Sequence, residues 1–122
     1  MKIGRYIIEF GMGTEFHGQD VTKAACKAVK DAVSRSCLCG LDEILGISDL
    51  NEGVYVHVIC AVPRPAEVDI DRVAAQLPVG TVDVRVTEGG LHVPGLYVPD
   101  FGDADDSIEA ALACVEVEIR KE

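Results

Sequence analysis

Gly11-Met12-Gly13-Thr14-Glu15-Phe16-His17-Gly18-Gln19-Asp20 joins two segments of different periodicity, and its reading decides the fold. Before it, Ile3 to Phe10 reads as a strand: Ile3, Ile7 and Ile8 with Tyr6 and Phe10 give the β-branched and aromatic enrichment that suits a pleated surface. After it, Asp20 to Arg35 reads as a helix. Asp20 is the expected N-cap, and Val21, Ala25, Ala28, Val29, Ala32 and Val33 recur at helical spacing, with Lys23, Lys27 and Lys30 on the opposite, solvated face. The quoted stretch is therefore a strand-to-helix connection, expected to be a glycine-rich turn.

Working outward, Val54 to Val62 is a nearly continuous apolar run, as in a central strand covered on both faces, and Pro63-Arg64-Pro65 stops it. Asp69 to Leu77 reads as a short helix with Ile70, Val73, Ala74 and Leu77 on one side. Thr81 to Thr87 alternates, Val82, Val84 and Val86 inward, before the Gly89-Gly90 turn. Ala113 to Ile119 alternates again, while Ser107 to Leu112 fits either a helical turn or an extension of that strand. The irregular pieces 36–53 and 91–106 are long for connections, so either is expected to hold a further short strand or a functional loop. The order predicts one α+β domain over 1–122, a two-layer sandwich: a mainly antiparallel sheet of about four strands with two helices on one face.

Composition narrows the function classes. The 122 residues carry a formal charge of −10 and no Trp, which argues against nucleic-acid and membrane-surface partners. Hydrophobic residues make up 48% and mean hydropathy is +0.21, more apolar surface than so small a domain readily hides, so a homo-oligomer is expected. The five cysteines form no secreted framework. Cys26, Cys60 and Cys114 fall on apolar faces, and the chain runs from Met-Lys straight into a strand, with no apolar run long enough to span a bilayer. A reduced, cytoplasmic protein is the expectation.

Three glycines within eight residues are costly unless the backbone needs unusual angles or close approach. A dinucleotide loop is rejected, because position 16 is Phe where a third glycine would stand. A phosphate cradle at the helix start would meet Glu15 and Asp20, with Lys23 as sole cationic partner. What remains is Glu15 and His17, which project to one side if extended, with Asp20 able to reach back. A carboxylate beside an imidazole fixes its tautomer and raises its basicity, as in a general base. On residue types alone, a tight turn in which these side chains satisfy the loop backbone fits as well.

The pattern Gly11-x-Gly13-x-Glu15-x-His17-Gly18, continuing as Gln19-Asp20-x-Thr22-Lys23-Ala24-Ala25, resembles a family of conserved uncharacterised proteins of scattered bacteria and plants, whose hallmark is Gly-x-Gly-x-Asp-x-His-Gly. Glu15 departs from that pattern, keeping the charge on a longer arm. The resemblance extends over nearly the whole chain, including Val62 to Pro65 and Gly89-Gly90, and implies that the segment matters without naming its chemistry.

Other candidates weigh less. His17, Glu15, His92, Cys37 and Cys39 lack the paired spacing of a zinc site, so no metal or other cofactor is expected. His57 sits mid-strand as a core or interface residue. The acidic run Asp100, Asp103, Asp105, Asp106 and Glu109 lacks the positions of a calcium loop and reads as solvated. Two functions survive. One is an oligomeric small-molecule enzyme with His17 as acid/base, Glu15 and Asp20 as its partners, and Gly11, Gly13, Gly18, Lys23, Arg64 and His92 as ligand-binding residues, suited to isomerisation, retro-aldol cleavage or cyclic-amide hydrolysis. The other is a non-catalytic module that binds a small ligand or a protein through the same loop. The residues do not decide whether the chain is an enzyme.

Overall fold

The computed structural model describes residues 2–120, with side chains from residue 4 onward, so the side chain of Ile3 lies outside the described residues. Strand β1 (Lys2–Glu15) runs through Gly11 and Gly13 without breaking, so the turn is confined to 16–20. Helix α1 (Val21–Val33) starts where Asp20 accepts the Lys23 N–H at 3.1 Å, the expected cap. A one-turn helix α2 (Gly40–Glu43) lies in the connection to β2 (Val54–Val62). Helix α3 (Ile70–Ala74), capped by Asp69, leads to β3 (Thr81–Glu88). The connection at 91–106 holds a short strand, β4 (Leu91–Pro94), and β5 (Ser107–Arg120) takes in the ambiguous stretch as strand. No helix among the described residues is long and apolar enough to cross a membrane.

The result is an α+β two-layer arrangement with five strands rather than four, in the order β1-β5-β2-β3, with β4 also paired to β5. The last strand is thus the middle of the sheet. β1 pairs antiparallel along one edge of it, while β2 and then β4 share the other. β2 and β3 are parallel, because α3 carries the chain back over the sheet between them. The helices cover one face, where Val54, Val56, Val58, Cys60 and Val62 meet Ala111, Ala113, Val115, Val117 and Ile119, all buried. Burial, with neighbouring Cys26 adding to it, pushes the Cys60 thiol up to about 11, so it packs as an apolar group.

Gly11 and Gly13 explain how close that cover lies. A Cβ on Gly11 would stand 2.1 Å from the Ala28 carbonyl oxygen, and one on Gly13 2.3 Å from that of Ala24. Both distances are far inside van der Waals contact. Across the sheet the two glycines face Ala113 and Ala111, and α1 presents Ala24, Ala25, Ala28 and Ala32 to them, each buried. These glycines therefore serve the packing, letting a helix backbone touch a strand. The seam also lets α1 cap the outer edge of β1. Asp31 accepts the Met12 N–H at 2.9 Å, Arg35 donates to the Phe10 carbonyl at 2.7 Å, and Lys27 donates to that of Thr14 at 3.1 Å.

Gly13→Ala is expected to cost about 3 kcal/mol, because neither backbone can yield without lifting the helix. Urea denaturation followed by far-UV circular dichroism measures this, and an unchanged midpoint would show that the close approach does not constrain the fold.

Candidate functional site

Beyond Glu15 the chain must reverse from strand to helix within the five residues 16–20. Gly18 takes a left-handed φ of +89° and Gln19 follows at +51°. The only other non-glycine residue with positive φ among the described residues is Arg64, at +53°, and its guanidinium donates to the Gln19 carbonyl at 2.8 Å. Two strained residues held against each other indicate a site that the surrounding contacts over-determine.

The turn wraps around Asp103, which arrives from the far end of the sequence with its side chain fully buried. Its Oδ2 lies 2.7 Å from His17 Nδ1 and accepts the Val98 N–H at 2.9 Å. Its Oδ1 accepts the Gly18 N–H at 2.7 Å and the Gln19 amide at 3.1 Å. Burial alone would push this carboxyl up. The hydrogen bonds from His17, the Val98 and Gly18 backbone and Gln19 outweigh it and hold Asp103 well below the usual carboxylate range. An ionised carboxylate only accepts, so the His17 proton sits on Nδ1 and Nε2 is left to act as a base. The ring of Phe101 meets that of His17 edge-on at 4.9 Å and fixes its plane. The rest of the Gln19 amide clamps the same loop, donating to the Ser107 carbonyl and accepting from the Ala104 N–H, both at 2.9 Å.

Next to this pair lies a second histidine–carboxylate contact. Glu109, fully buried, receives both His92 Nδ1 and Arg64 on Oε1 at 2.8 Å, with the Ser107 hydroxyl at 3.4 Å. Its Oε2 is buried with no partner among the described residues. Ser107 also holds Asp105: its hydroxyl and backbone N–H, ahead of the charges of His92 and Arg64, keep that carboxyl low against the effect of burial. The two histidines belong to one network, linked through Gln19, Arg64 and Ser107.

Several expected partnerships are corrected. Glu15 pairs with Lys27 at 2.7 Å and Asp20 caps α1, so neither orients His17. Arg64 is occupied by Glu109, Glu67 and Gln19, and its hydrogen bond to Glu109 raises its pKa further, so it braces the site rather than offering a free charge to an anion. Lys27 is engaged with Glu15 and β1, not merely solvated. Lys23 is exposed at the helix start, and His92 is bonded to Glu109. Gly18 serves the turn and its N–H serves Asp103. Asp103 and Glu109 were missed within an acidic run read as solvated. The signal for Glu109 was its phase, since counting back from Val115 by twos reaches Ala113, Ala111, Glu109 and Ser107 on the inward face. Nothing local marks Asp103. Among the described residues no three His, Cys, Asp or Glu side chains converge as a metal-binding set.

Comparison with known proteins places this geometry in context. A family model described as a conserved hypothetical protein (Lin0512_fam) matches residues 5–117. No curated protein matches. Among solved structures, the crystal structure of an FtsZ-like protein of unknown function from Nostoc punctiforme is 40% identical over 96% of each chain, with a TM-score of 0.86.

The folded-state pKa of Asp103 lies below its ordinary value of 3.8, so its ionised form adds stability above that value, and this is lost as pH falls through the lowered pKa. Asp103→Asn is expected to be less stable than wild type near neutrality, with the gap closing in acid. Urea midpoints at neutral pH and near pH 3 measure this, and a gap that did not shrink would remove the carboxylate's charge from the account.

Proposed function

We propose that this chain, which belongs to the Lin0512 family of conserved hypothetical proteins, is a cytoplasmic small-molecule enzyme that uses His17 as its acid/base. The observation that carries this reading is the His17–Asp103 pair, a buried ionised carboxylate with four donors holding a half-exposed imidazole by one nitrogen. Asp103 keeps His17 in one tautomer and stabilises the imidazolium once Nε2 has taken a proton. Asp103 need not be protonated itself, since its other donors favour the charged form at every stage. Proton-transfer chemistry such as isomerisation, retro-aldol cleavage or cyclic-amide hydrolysis fits this set. His92, poised on Glu109, is the candidate to hold or protonate a carbonyl oxygen. The five cysteines are free, which suits a reducing compartment.

A second reading, a non-catalytic ligand-binding or interaction module, draws on the surroundings of His17. Phe16 next to it and Phe101 against its ring are exposed. Two grooves of about 550 and 420 Å³ open along the uncovered sheet face, the larger also bordered by Asp31 and Arg35 of α1, and neither is lined by His17. A wall for an enclosed pocket would then come from another copy of the chain, in line with the homo-oligomer that the apolar composition leads one to expect.

The two readings part on turnover. Thermal-shift screening of a small-molecule library against wild type and His17→Ala is expected to yield ligands whose response the substitution abolishes. In D2O, proton NMR of such a ligand with wild type is expected to show conversion or deuterium wash-in, slowed roughly 100-fold or more in His17→Ala and in Asp103→Asn. Binding without exchange or conversion supports the module. If His17→Ala keeps every ligand response, the segment is structural and both readings fail.

A further inference from the structure

We propose that the uncovered face of the sheet docks a second copy of this chain, sheet against sheet. On β1 the residues pointing away from α1 include Ile8, Phe10 and Met12, and on β5 they include Leu112. Ile59 of β2 and Leu91 of β4 share that face. Phe10 is 68% exposed, Leu91 62%, Met12 58% and Leu112 52%, with Ile8 and Ile59 also open. The register makes the patch continuous: Met12 lies opposite Leu112, Phe10 and Ile59 flank Cys114 from either side, and Leu91 lies opposite Ala110. From side-chain sizes these six leave on the order of 700 Å² of apolar surface open, beyond the largest patch of most monomers and close to the roughly 800 Å² per partner of a standard interface.

Three further observations select a second copy as the occupant. The first is shape. A groove of about 550 Å³ runs between Phe10 and Met12 on one side and Ile59 and Ala61 on the other, floored by Leu112 and Cys114, with the Asp31–Arg35 ion pair of α1 at its β1 edge. Projecting rings and the hollow beside them lie on one patch, as a two-fold contact requires, so Phe10 and Met12 of each copy fill the groove of the other. The second is charge. The chain carries −10, yet among the described side chains of this face Arg5, Arg85 and Arg120 balance Asp83, Glu116 and Glu118. A basic partner finds nothing to attract it there, and an equally acidic copy meets a face that does not repel it. The third is that the outer edge of β1 is closed by Asp31, Arg35 and Lys27, which blocks growth of the sheet by strand pairing at that edge and leaves the face.

The inference names the partner that the functional reading expects, but it does not depend on the chemistry of His17. The test is sedimentation equilibrium on the full chain, with wild type compared against Phe10→Glu, Leu112→Glu, His17→Ala and Ile44→Glu, the last an 81% exposed residue at the end of α2. Wild type is expected at twice the 13.0 kDa chain mass or a higher multiple. The two face variants, with unchanged circular dichroism, are expected to weaken association roughly 100-fold or more, while Ile44→Glu and His17→Ala keep the wild-type mass. Raising the salt concentration is expected to tighten association, since it screens the repulsion between two acidic chains without weakening apolar contact. A wild type that stays at 13.0 kDa at every concentration overturns the proposal, as do face variants with the wild-type mass, dissociation by Ile44→Glu instead, or loosening by salt. A monomeric wild type whose ligand responses still depend on His17 would sink this proposal and leave the site intact.

Discussion

Contact between the backbone of α1 and the backbone of β1 at Gly11 and Gly13 is the constraint from which much else follows. With Ala24, Ala28 and Ala32 against those glycines, the helix axis lies as near the sheet as two main chains allow. That distance brings Asp31, Arg35 and Lys27 within reach of the edge of β1, where they satisfy backbone groups that would otherwise invite another strand. It also brings the helix start close to the strand's end. The chain must then reverse within five residues, and Gly18 and Gln19 in left-handed conformations are the means.

A turn so tight needs support, and it comes from buried charge. Asp103 and Glu109 are both withdrawn from water, and an isolated buried carboxylate would cost several kcal/mol unless paired and hydrogen-bonded. Each is therefore surrounded by donors. His17, Gly18, Gln19 and Val98 satisfy Asp103, while Arg64 and His92 satisfy one oxygen of Glu109. The donors come from the first turn, from the exit of β2, from β4 and from the loop before β5, so the carboxylates pin four distant pieces of chain together. Strain at Gln19 and Arg64 persists because each is gripped at both ends. Among the described residues the Oε2 of Glu109 is the one unpartnered atom of this network, and the same carboxylate holds His92.

What the sequence disclosed follows how far each signal reaches. The strand Val54–Val62, the Asp20 cap and the alternation of Thr81 to Thr87 are local patterns, and each appears within a residue or two of its expected place. The segment 11–15 misled because glycine in a strand looks like a break, while its reason is a helix that follows later in the chain. The parallel pairing of β2 and β3 was hidden because a helix as short as α3 gives little warning of a crossover. In the site, His17 was legible as a residue and illegible as a pair. Its nearest acids in sequence, Glu15 and Asp20, were committed elsewhere, and the acid that holds it lies 86 residues away in an acidic run. Arg64 looked like a free cation because its acceptors Glu109 and the Gln19 carbonyl are 45 residues distant.

β1 also shows how one strand serves two purposes by alternation. Its inward phase, Gly11, Gly13 and Glu15, is shaped by contact with α1, where the smallest residue is the only one that fits at the glycines and Glu15 must find Lys27. Its outward phase, Ile8, Phe10 and Met12, is large and apolar, with no described helix over it. The two phases answer to different physics, since an added methyl inward collides with a main chain whereas an added charge outward meets water in a lone chain. Sensitivity to substitution should therefore alternate along 8–13, inward changes acting on folding and outward ones on association. A chain selected only to be a stable monomer would have no use for a ring and a thioether on the outward phase. Their presence beside a balanced set of charges is the feature on which the proposed association of two copies rests.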